Sequence, residues 1–132
     1  MDSKLIEQII DIMVPRFDPD FILVFGSYAK GYERADSDLD IAFYCGGSPG
    51  RYETFLVAQE LADALKMEVD LIDLKGASTV FQAQIYTSGI TIYSKDEDRR
   101  VKEQMKALSM YAKLNEERKA ILDGIDERGT IL

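Results

Sequence analysis

The segment from residue 21 to residue 45, FILVFGSYAKGYERADSDLDIAFYC, contains two apolar runs separated by a polar loop. The first run, Phe21–Phe25, is continuous and stops at Gly26, a pattern typical of a strand buried on both faces and ended by a turn. The second run, Asp38–Cys45, begins with acidic residues and continues with apolar and aromatic ones. We therefore predict two strands connected by a loop that starts with glycine and ends with aspartates.

The turn after the first predicted strand has the features of an anion-binding site. Ser27 is a good N-cap for one short helical turn, residues 28–30, which Gly31 then ends. Backbone N–H groups at a helix start have no partner within the helix, and Gly26 has no Cβ to hold a phosphate away. We therefore expect a phosphate to bind at Gly26 and Ser27.

Two aspartates at the start of the second predicted strand can bind metal. Side chains alternate faces with a period of two, so Asp38 and Asp40 project from the same side with Cα atoms about 6.5–7 Å apart. Their oxygens suit Mg²⁺ or Mn²⁺ rather than zinc, and in-line phosphoryl displacement uses two ions about 3.5–4 Å apart. A charge inside a strand, as at Asp40, is costly without a partner. The combination predicts a nucleotidyl-transfer site, although residues 35–38 alone would also suit an ordinary acidic turn.

Two other phosphate or metal motifs fail at these positions. Gly26 and Gly31 have the spacing of a Walker A loop, but Tyr32 stands where the phosphate-binding lysine is required. A calcium-binding EF-hand loop starting at Asp36 would place Ile41 where glycine is needed and Gly47 where the bidentate glutamate belongs. Both motifs are therefore excluded.

Gly26-Ser27, ten further residues and then Asp38-Leu39-Asp40 resemble the signature of the DNA polymerase β-like nucleotidyltransferase superfamily. The short chain resembles the minimal nucleotidyltransferase (MNT) branch, and most of it is similar to the MntA-type antitoxins of the HEPN/MNT toxin–antitoxin systems. The resemblance implies an α/β (α+β) fold with a polymerase β-like core, a small mixed sheet flanked by helices, and a long C-terminal helix. The similarity continues in three downstream segments: residues 61–65 (LADAL), 69–74 (VDLIDL) and 77–80 (ASTV).

In this family a third carboxylate from a later strand completes the metal site, and Asp70 matches it best. Asp70 and Asp73 fall on opposite faces of the predicted strand Glu68–Leu74, so only one of them can join Asp38 and Asp40. We choose Asp70 and interpret Asp73 as a strand-end residue or a cap.

The resemblance implies transfer of AMP from ATP to a tyrosine hydroxyl of a HEPN ribonuclease toxin, which is thereby neutralised. Asp38 and Asp40 would hold Mg²⁺, and Asp70 would be the general base or a ligand of a second ion. Lys30 and Arg34 are close enough in sequence to help neutralise the leaving pyrophosphate, but solvated surface positions suit them equally. Two alternatives remain: a non-catalytic antitoxin that masks the toxin, and a small-molecule nucleotidyltransferase, for which no acceptor-binding domain is visible.

Composition bounds the remaining possibilities. With 132 residues, 46% hydrophobic and 30% charged, the chain is expected to form one domain, with a core over residues 1–95 and a helix over residues 97–123. We expect no signal peptide or membrane span, and the lone Cys45, read as a small packing residue, is compatible with the cytoplasm. The absence of histidine excludes Cys/His catalysis. A net charge of −8 argues against long nucleic acid as a partner; a basic protein would be a more natural one, although excess negative charge is most often simply a solubility feature.

Periodicity predicts the remaining elements. In the last helix we expect the first-half stripe (Val101, Met105, Leu108, Ala112) to pack on the sheet. The second-half stripe (Leu114, Ile121, Leu122, Ile125) either packs or binds a partner chain or a second copy, and Gly124–Leu132 is a frayed tail. The other predicted elements are a helix Ser3–Met13 ended near Pro15, a helix Arg51–Lys66 with Phe55, Ala58, Leu61, Ala62 and Leu65 on one side, a helix capped by Ser78 or Thr79 that runs to Tyr86 and stops at Gly89, a strand Ile90–Tyr93, and a cap at Asp96.

Overall fold

The computed structural model describes residues 1–34 and 37–128. Its helices and strands follow the predicted order closely. In chain order they are α1 (Ser3–Phe17), β1 (Phe21–Phe25), α2 (Ser27–Lys30), β2 (Leu39–Tyr44), α3 (Arg51–Leu65), β3 (Val69–Asp73), a 3₁₀ turn (Leu74–Gly76), α4 (Thr79–Ser88), β4 (Ile90–Ser94) and α5 (Glu97–Arg128).

The four strands form one mixed sheet in the order β3-β2-β1-β4. β1 pairs antiparallel with both β2 and β4, whereas β2 and β3 are parallel. A parallel pair needs a crossover connection, which α3 provides. The predicted mixed sheet flanked by helices is therefore confirmed.

Alternate residues of each strand pack into two separate cores. Ile22 and Val24 of β1 face α1 and α3, where Ile9 and Leu61 are fully buried. Phe21 and Leu23 point to the opposite face, which is covered by residues of α4 and α5. Successive side chains of a strand point to opposite faces, and every residue of β1 is apolar. Both faces of β1 can therefore be buried.

The end of α1 and the start of α2 differ from the predictions. α1 continues through Pro15 to Phe17 and ends at Asp18 in a left-handed conformation. A proline in the last turn removes only one helical hydrogen bond, so the helix does not stop before it. Ser27 is not the N-cap of α2; Gly26 is the cap and Ser27 is the first helical residue.

The buried face of α3 was predicted incorrectly at one position. Val57, Leu61 and Leu65 are buried, whereas the side chain of Phe55 is 57% exposed. Phe55 and Val57 are two positions apart and therefore lie on nearly opposite sides of a helix with 3.6 residues per turn. Contact with α1 and β3 determines which side is buried.

The packing face of α5 also differs from the predicted stripe. Val101 and Met105 are 42% and 64% exposed, whereas Ala107 is 3% exposed against the sheet. Glu103 lies on the packed side, where its carboxylate accepts a hydrogen bond from the Tyr44 hydroxyl at 3.3 Å. Because Glu103 is polar, hydrophobic periodicity does not identify this side of α5 as the packed one.

The second half of α5 is helical as far as Arg128, so the tail predicted from Gly124 does not begin there. Ile121 and Leu122 are exposed and Leu114 is partly buried. The side chain of Ile125 and residues 129–132 lie outside the described part of the chain. In the part of the chain that the structure describes, no helix is both long and apolar enough to span a membrane.

Candidate active site

The turn after β1 brings the backbone of Gly26 against a carboxylate of β2. Gly26 has φ 73° and ψ −150°, a conformation that is accessible almost only to glycine. An ideal Cβ at this position would lie 2.2 Å from Oδ2 of Asp40. The missing Cβ therefore provides the space that the Asp40 carboxylate occupies.

Strand register aligns three residues of the site across the sheet. Phe25 of β1 is the partner of Asp40 in β2, and Asp40 is the partner of Asp70 in β3. Register partners project from the same face of a sheet, so Asp40 and Asp70 both point to the α4–α5 side. Asp38 precedes β2 and lies two positions before Asp40.

The field of the neighbouring carboxylates acts on Asp40. Burial raises the pKa of Asp40 above its ordinary value of 3.8, and the negative charges of Asp70 and Asp38 raise it further. Asp40 is half-buried, whereas Asp38 and Asp70 are exposed. The carboxylates of Asp38 and Asp70 are therefore close enough for their charges to act on Asp40.

The donor atoms of this cluster have the chemistry that Mg²⁺ requires. All three side chains are carboxylates, whose oxygens are the ligands that Mg²⁺ prefers, and Asp40 lies directly against the Gly26 turn. Within residues 1–34 and 37–128, no three acidic, cysteine or histidine side chains already converge on a metal-binding point. Two carboxylates about 4 Å apart repel by about 4 kcal/mol in a protein-like medium, and a cation bound between them would relieve that repulsion.

Asp73 is a helix cap, as the strand periodicity predicts. Its carboxylate accepts a hydrogen bond from the backbone N–H of Lys75 at 3.0 Å and caps the 3₁₀ turn. Its register partner is Phe43, which belongs to the core on the α1–α3 side of the sheet. Asp73 therefore faces away from Asp40.

Two of the candidate phosphate-binding residues, Gly26 and Lys30, line a cavity of about 460 Å³, whereas Ser27, Arg34 and the three aspartates do not. Gly26 and Lys30 contribute one wall, while Phe81 and Gln84 of α4 and Tyr111 of α5 contribute the other. The volume is within the range of small-molecule sites. Sequence reasoning missed the residues of α4 and α5, because only tertiary packing brings them beside Gly26.

Arg34 lies in the loop between α2 and β2. Its backbone N–H donates to Oγ of Ser37 at 2.7 Å, and its side chain is exposed. Residues 35 and 36, which belong to the alternative acidic turn, lie outside the described residues. Arg34 lies four residues before Asp38 in the sequence. Its contribution to the site stays a prediction.

Cys45 is a packing residue. It is 2% exposed, and its Sγ donates a hydrogen bond to the carbonyl oxygen of Gly47 at 3.4 Å. Burial raises the pKa of this thiol, which disfavours the reactive thiolate. The prediction of a structural role is supported.

Comparison with known families agrees with this geometry. The model of the family described as polymerase beta, nucleotidyltransferase matches residues 7–98, which include β1, β2 and β3. The chain belongs to the polymerase β nucleotidyltransferase family. The predicted superfamily and its fold are thereby confirmed.

Relatives of this nucleotidyltransferase include toxin–antitoxin proteins. It is 36% identical over 124 residues, 94% of this chain and 86% of the other, to the protein adenylyltransferase MntA of Shewanella oneidensis. It also resembles a solved toxin–antitoxin structure with AMP-PNP, with TM-score 0.81, 35% identity and coverage of 91% of this chain and 97% of the other. A third similarity is to a tri-AMPylated Shewanella oneidensis HEPN toxin in complex with its MNT antitoxin, with TM-score 0.77, 32% identity and coverage of 95% and 98%.

Proposed function

We propose that this nucleotidyltransferase is an antitoxin that transfers AMP from ATP to a tyrosine hydroxyl of a HEPN toxin. The observation that carries the proposal is the contact between the Gly26 turn and Asp40, which is in register with Asp70. The 36% identity to a protein adenylyltransferase supports the same reaction. We also propose that residues 1–132 act as one minimal nucleotidyltransferase domain in the cytoplasm, where ATP is available and Cys45 stays a free thiol.

Asp38, Asp40 and Asp70 would hold magnesium, with two ions as the expected number. When bound, Mg²⁺ supplies positive charge that neutralises the phosphates and orients the triphosphate. Burial and, after it, the charges of Asp70 and Asp38 raise the pKa of Asp40; a cation would offset the repulsion from these charges, which supports this assignment.

The protein's own groups have distinct roles in the proposed transfer. The backbone at Gly26 and Ser27 binds the triphosphate, and Lys30 and Arg34 balance the charge of the leaving pyrophosphate. The tyrosine oxygen attacks the α-phosphorus, and the bond from that phosphorus to the bridging oxygen of pyrophosphate breaks. Asp70 accepts the hydroxyl proton as general base.

Labelled ATP tests the assignment. With ATP carrying the label in its α-phosphate, the wild-type protein should label the toxin, whereas Asp38→Ala and Asp40→Ala should reduce the rate at least about 100-fold. Asp11→Ala is the matched control, because Asp11 is an exposed aspartate of α1, on the other side of the sheet, and the variant should retain activity. Circular dichroism of each variant checks that the fold is intact.

Metal and nucleotide dependence separates catalysis from masking. Mg²⁺ with ATP at about 100 times its Kd should stabilise the wild-type protein by about 2.7 kcal/mol, and the two alanine variants should lose this effect. Neutralisation of the toxin in the absence of ATP and Mg²⁺ would instead establish a non-catalytic antitoxin that blocks the toxin by binding.

A further inference from the structure

The outer edge of β3 has free backbone groups. β3 is the end strand of the sheet, and no strand lies beyond it among residues 1–34 and 37–128. The N–H of Leu39 donates to the carbonyl of Glu68 at 2.9 Å, which fixes the phase of the parallel ladder. Residues 68, 70 and 72 therefore bond toward β2, and the N–H and C=O groups of residues 69, 71 and 73 point outward.

A groove of about 570 Å³ runs along this edge. Leu71, Ile72 and Asp73 of β3 form one side of it, and Arg51 and Thr54 of α3 form part of another. Leu71 is only 8% exposed, so the groove is the space through which a partner would reach its outward backbone groups and those of Asp73. An edge strand with accessible backbone groups is a site for pairing with an extended segment of another chain.

One residue that lines the groove, Ile72, is close in the strand to Asp70, the carboxylate proposed as general base. Ile72 lies two residues after Asp70 and projects from the same face of the sheet. Phe81 lines both this groove and the cavity next to Gly26, and its ring packs edge-on against Phe25 with centroids 5.7 Å apart. Phe81 therefore separates a space on the Gly26 side from a space on the β3 side.

The geometry of phosphoryl transfer indicates which substrate each space would receive, the nucleotide on the Gly26 side and the attacking hydroxyl on the β3 side. The attacking and leaving oxygens stand roughly in line on opposite sides of the phosphorus. With the pyrophosphate at the Gly26 turn, the attacking hydroxyl must approach from the opposite direction, across Asp40 towards Asp70. The β3 edge and its groove lie on that side.

We propose that the toxin segment carrying the acceptor tyrosine binds as an extended strand along the outer edge of β3, with the tyrosine directed towards Asp70. This inference rests on the proposed function for the identity of the segment. Backbone hydrogen bonds to Leu71 and Asp73 hold the segment, and the groove between β3 and α3 receives its side chains. The β3 edge thereby acts as the acceptor site, and the Gly26 cavity serves the nucleotide.

Amide hydrogen exchange of this protein, alone and with the full-length cognate HEPN toxin, tests the pairing directly. The amides of Leu71 and Asp73 should exchange at least about tenfold more slowly in the complex. The amides of Asp70 and Ile72 are internal controls, because they already bond to β2. Unchanged exchange at Leu71 in a complex shown to form would overturn the proposal.

Two glycine substitutions test the groove in the transfer assay. Gly76 lines the groove and Gly46 does not, and a Cβ on either glycine would meet nothing within 4 Å. Gly76→Trp should raise the KM for the toxin at least about tenfold and leave the KM for ATP within about twofold, whereas Gly46→Trp should change neither. An unchanged toxin KM for Gly76→Trp, folded by circular dichroism, would refute the acceptor site.

The two proposals fail in different ways. If Leu71 becomes protected but no label reaches the toxin, the edge binds the partner and the adenylyltransferase assignment is wrong. If label is transferred while Leu71 exchanges as in the free protein, the enzyme assignment stands and the acceptor binds elsewhere.

Discussion

Substitution of Gly26 by alanine tests whether the missing side chain of Gly26 matters more for AMP transfer than for the stability of the fold. A non-glycine residue at φ 73° and ψ −150° costs about 1–3 kcal/mol of backbone strain. The new Cβ would also lie 2.2 Å from Oδ2 of Asp40, so the carboxylate must move by about 1 Å or more. Misplacement by about 1 Å costs about 100-fold in rate. We therefore expect a moderate loss of stability and a severe loss of AMP transfer.

Gly31→Ala is the matched control for this experiment. Gly31 has φ 75°, but a Cβ there would meet nothing within 4 Å. Alanine in this left-handed conformation costs about 1–2 kcal/mol without displacing Asp40. At about 4 °C per kcal/mol for a chain of this size, backbone strain should lower the melting temperature by about 4–12 °C in Gly26→Ala and by about 4–8 °C in Gly31→Ala.

Initial rates of label transfer from ATP to the toxin, measured well below both melting temperatures, check the result. Gly26→Ala should lose about 100-fold and Gly31→Ala less than about threefold. Equal losses in the two variants would show that backbone strain, rather than displacement of Asp40, explains the effect. Full activity of Gly26→Ala would refute the contact between the turn and the carboxylate as the basis of the site.

Two further predictions concern pH and packing. Because the pKa of Asp40 is raised above 3.8, its contribution to stability is complete below about pH 4 and is lost as pH rises through the raised pKa. Without divalent cations, urea unfolding should show wild-type stability falling relative to Asp40→Asn as pH rises from about 4 to 7; parallel profiles would contradict this. Ala107→Glu should destabilise by about 3 kcal/mol because Ala107 is 3% exposed, whereas Met105→Glu, at a site 64% exposed, should change stability by less than about 0.5 kcal/mol. Thermal melts of both variants compare them, and a larger effect at Met105 would reverse the assigned face of α5.

Local patterns in the sequence were sufficient to predict much of the backbone structure around the candidate site. The apolar run Phe21–Phe25 and the glycine after it predicted β1 with the bounds that the structure has. Period-two alternation separated Asp70 from Asp73, and the structure shows Asp73 as a cap on the face away from Asp40. These features depend on neighbours along the chain, which a single sequence displays.

Features fixed by distant contacts were not predictable in the same way. Val101 and Met105 have helical spacing but face solvent, because the packed side of α5 includes the polar residue Glu103. The walls that Phe81 and Tyr111 add to the Gly26 cavity depend on how α4 and α5 pack across the sheet. The hydrophobic pattern of a sequence indicates which residues tend to be buried. It does not indicate which other element packs against each face of a helix.

Because the sheet contains both antiparallel and parallel strand pairs, the residues of the candidate site come together in a definite order. β1 and β2 are antiparallel, so Gly26 and Asp40 meet through a short connection. Asp70 arrives only after the whole crossover through α3 has been made and docked. Longer closures are slower, so a nascent chain that ends before β3 has the glycine turn and its first carboxylates but lacks Asp70, the proposed base. The cavity beside Gly26 forms later still, because Phe81 and Tyr111, which line it, belong to α4 and α5 and follow β3 in the chain.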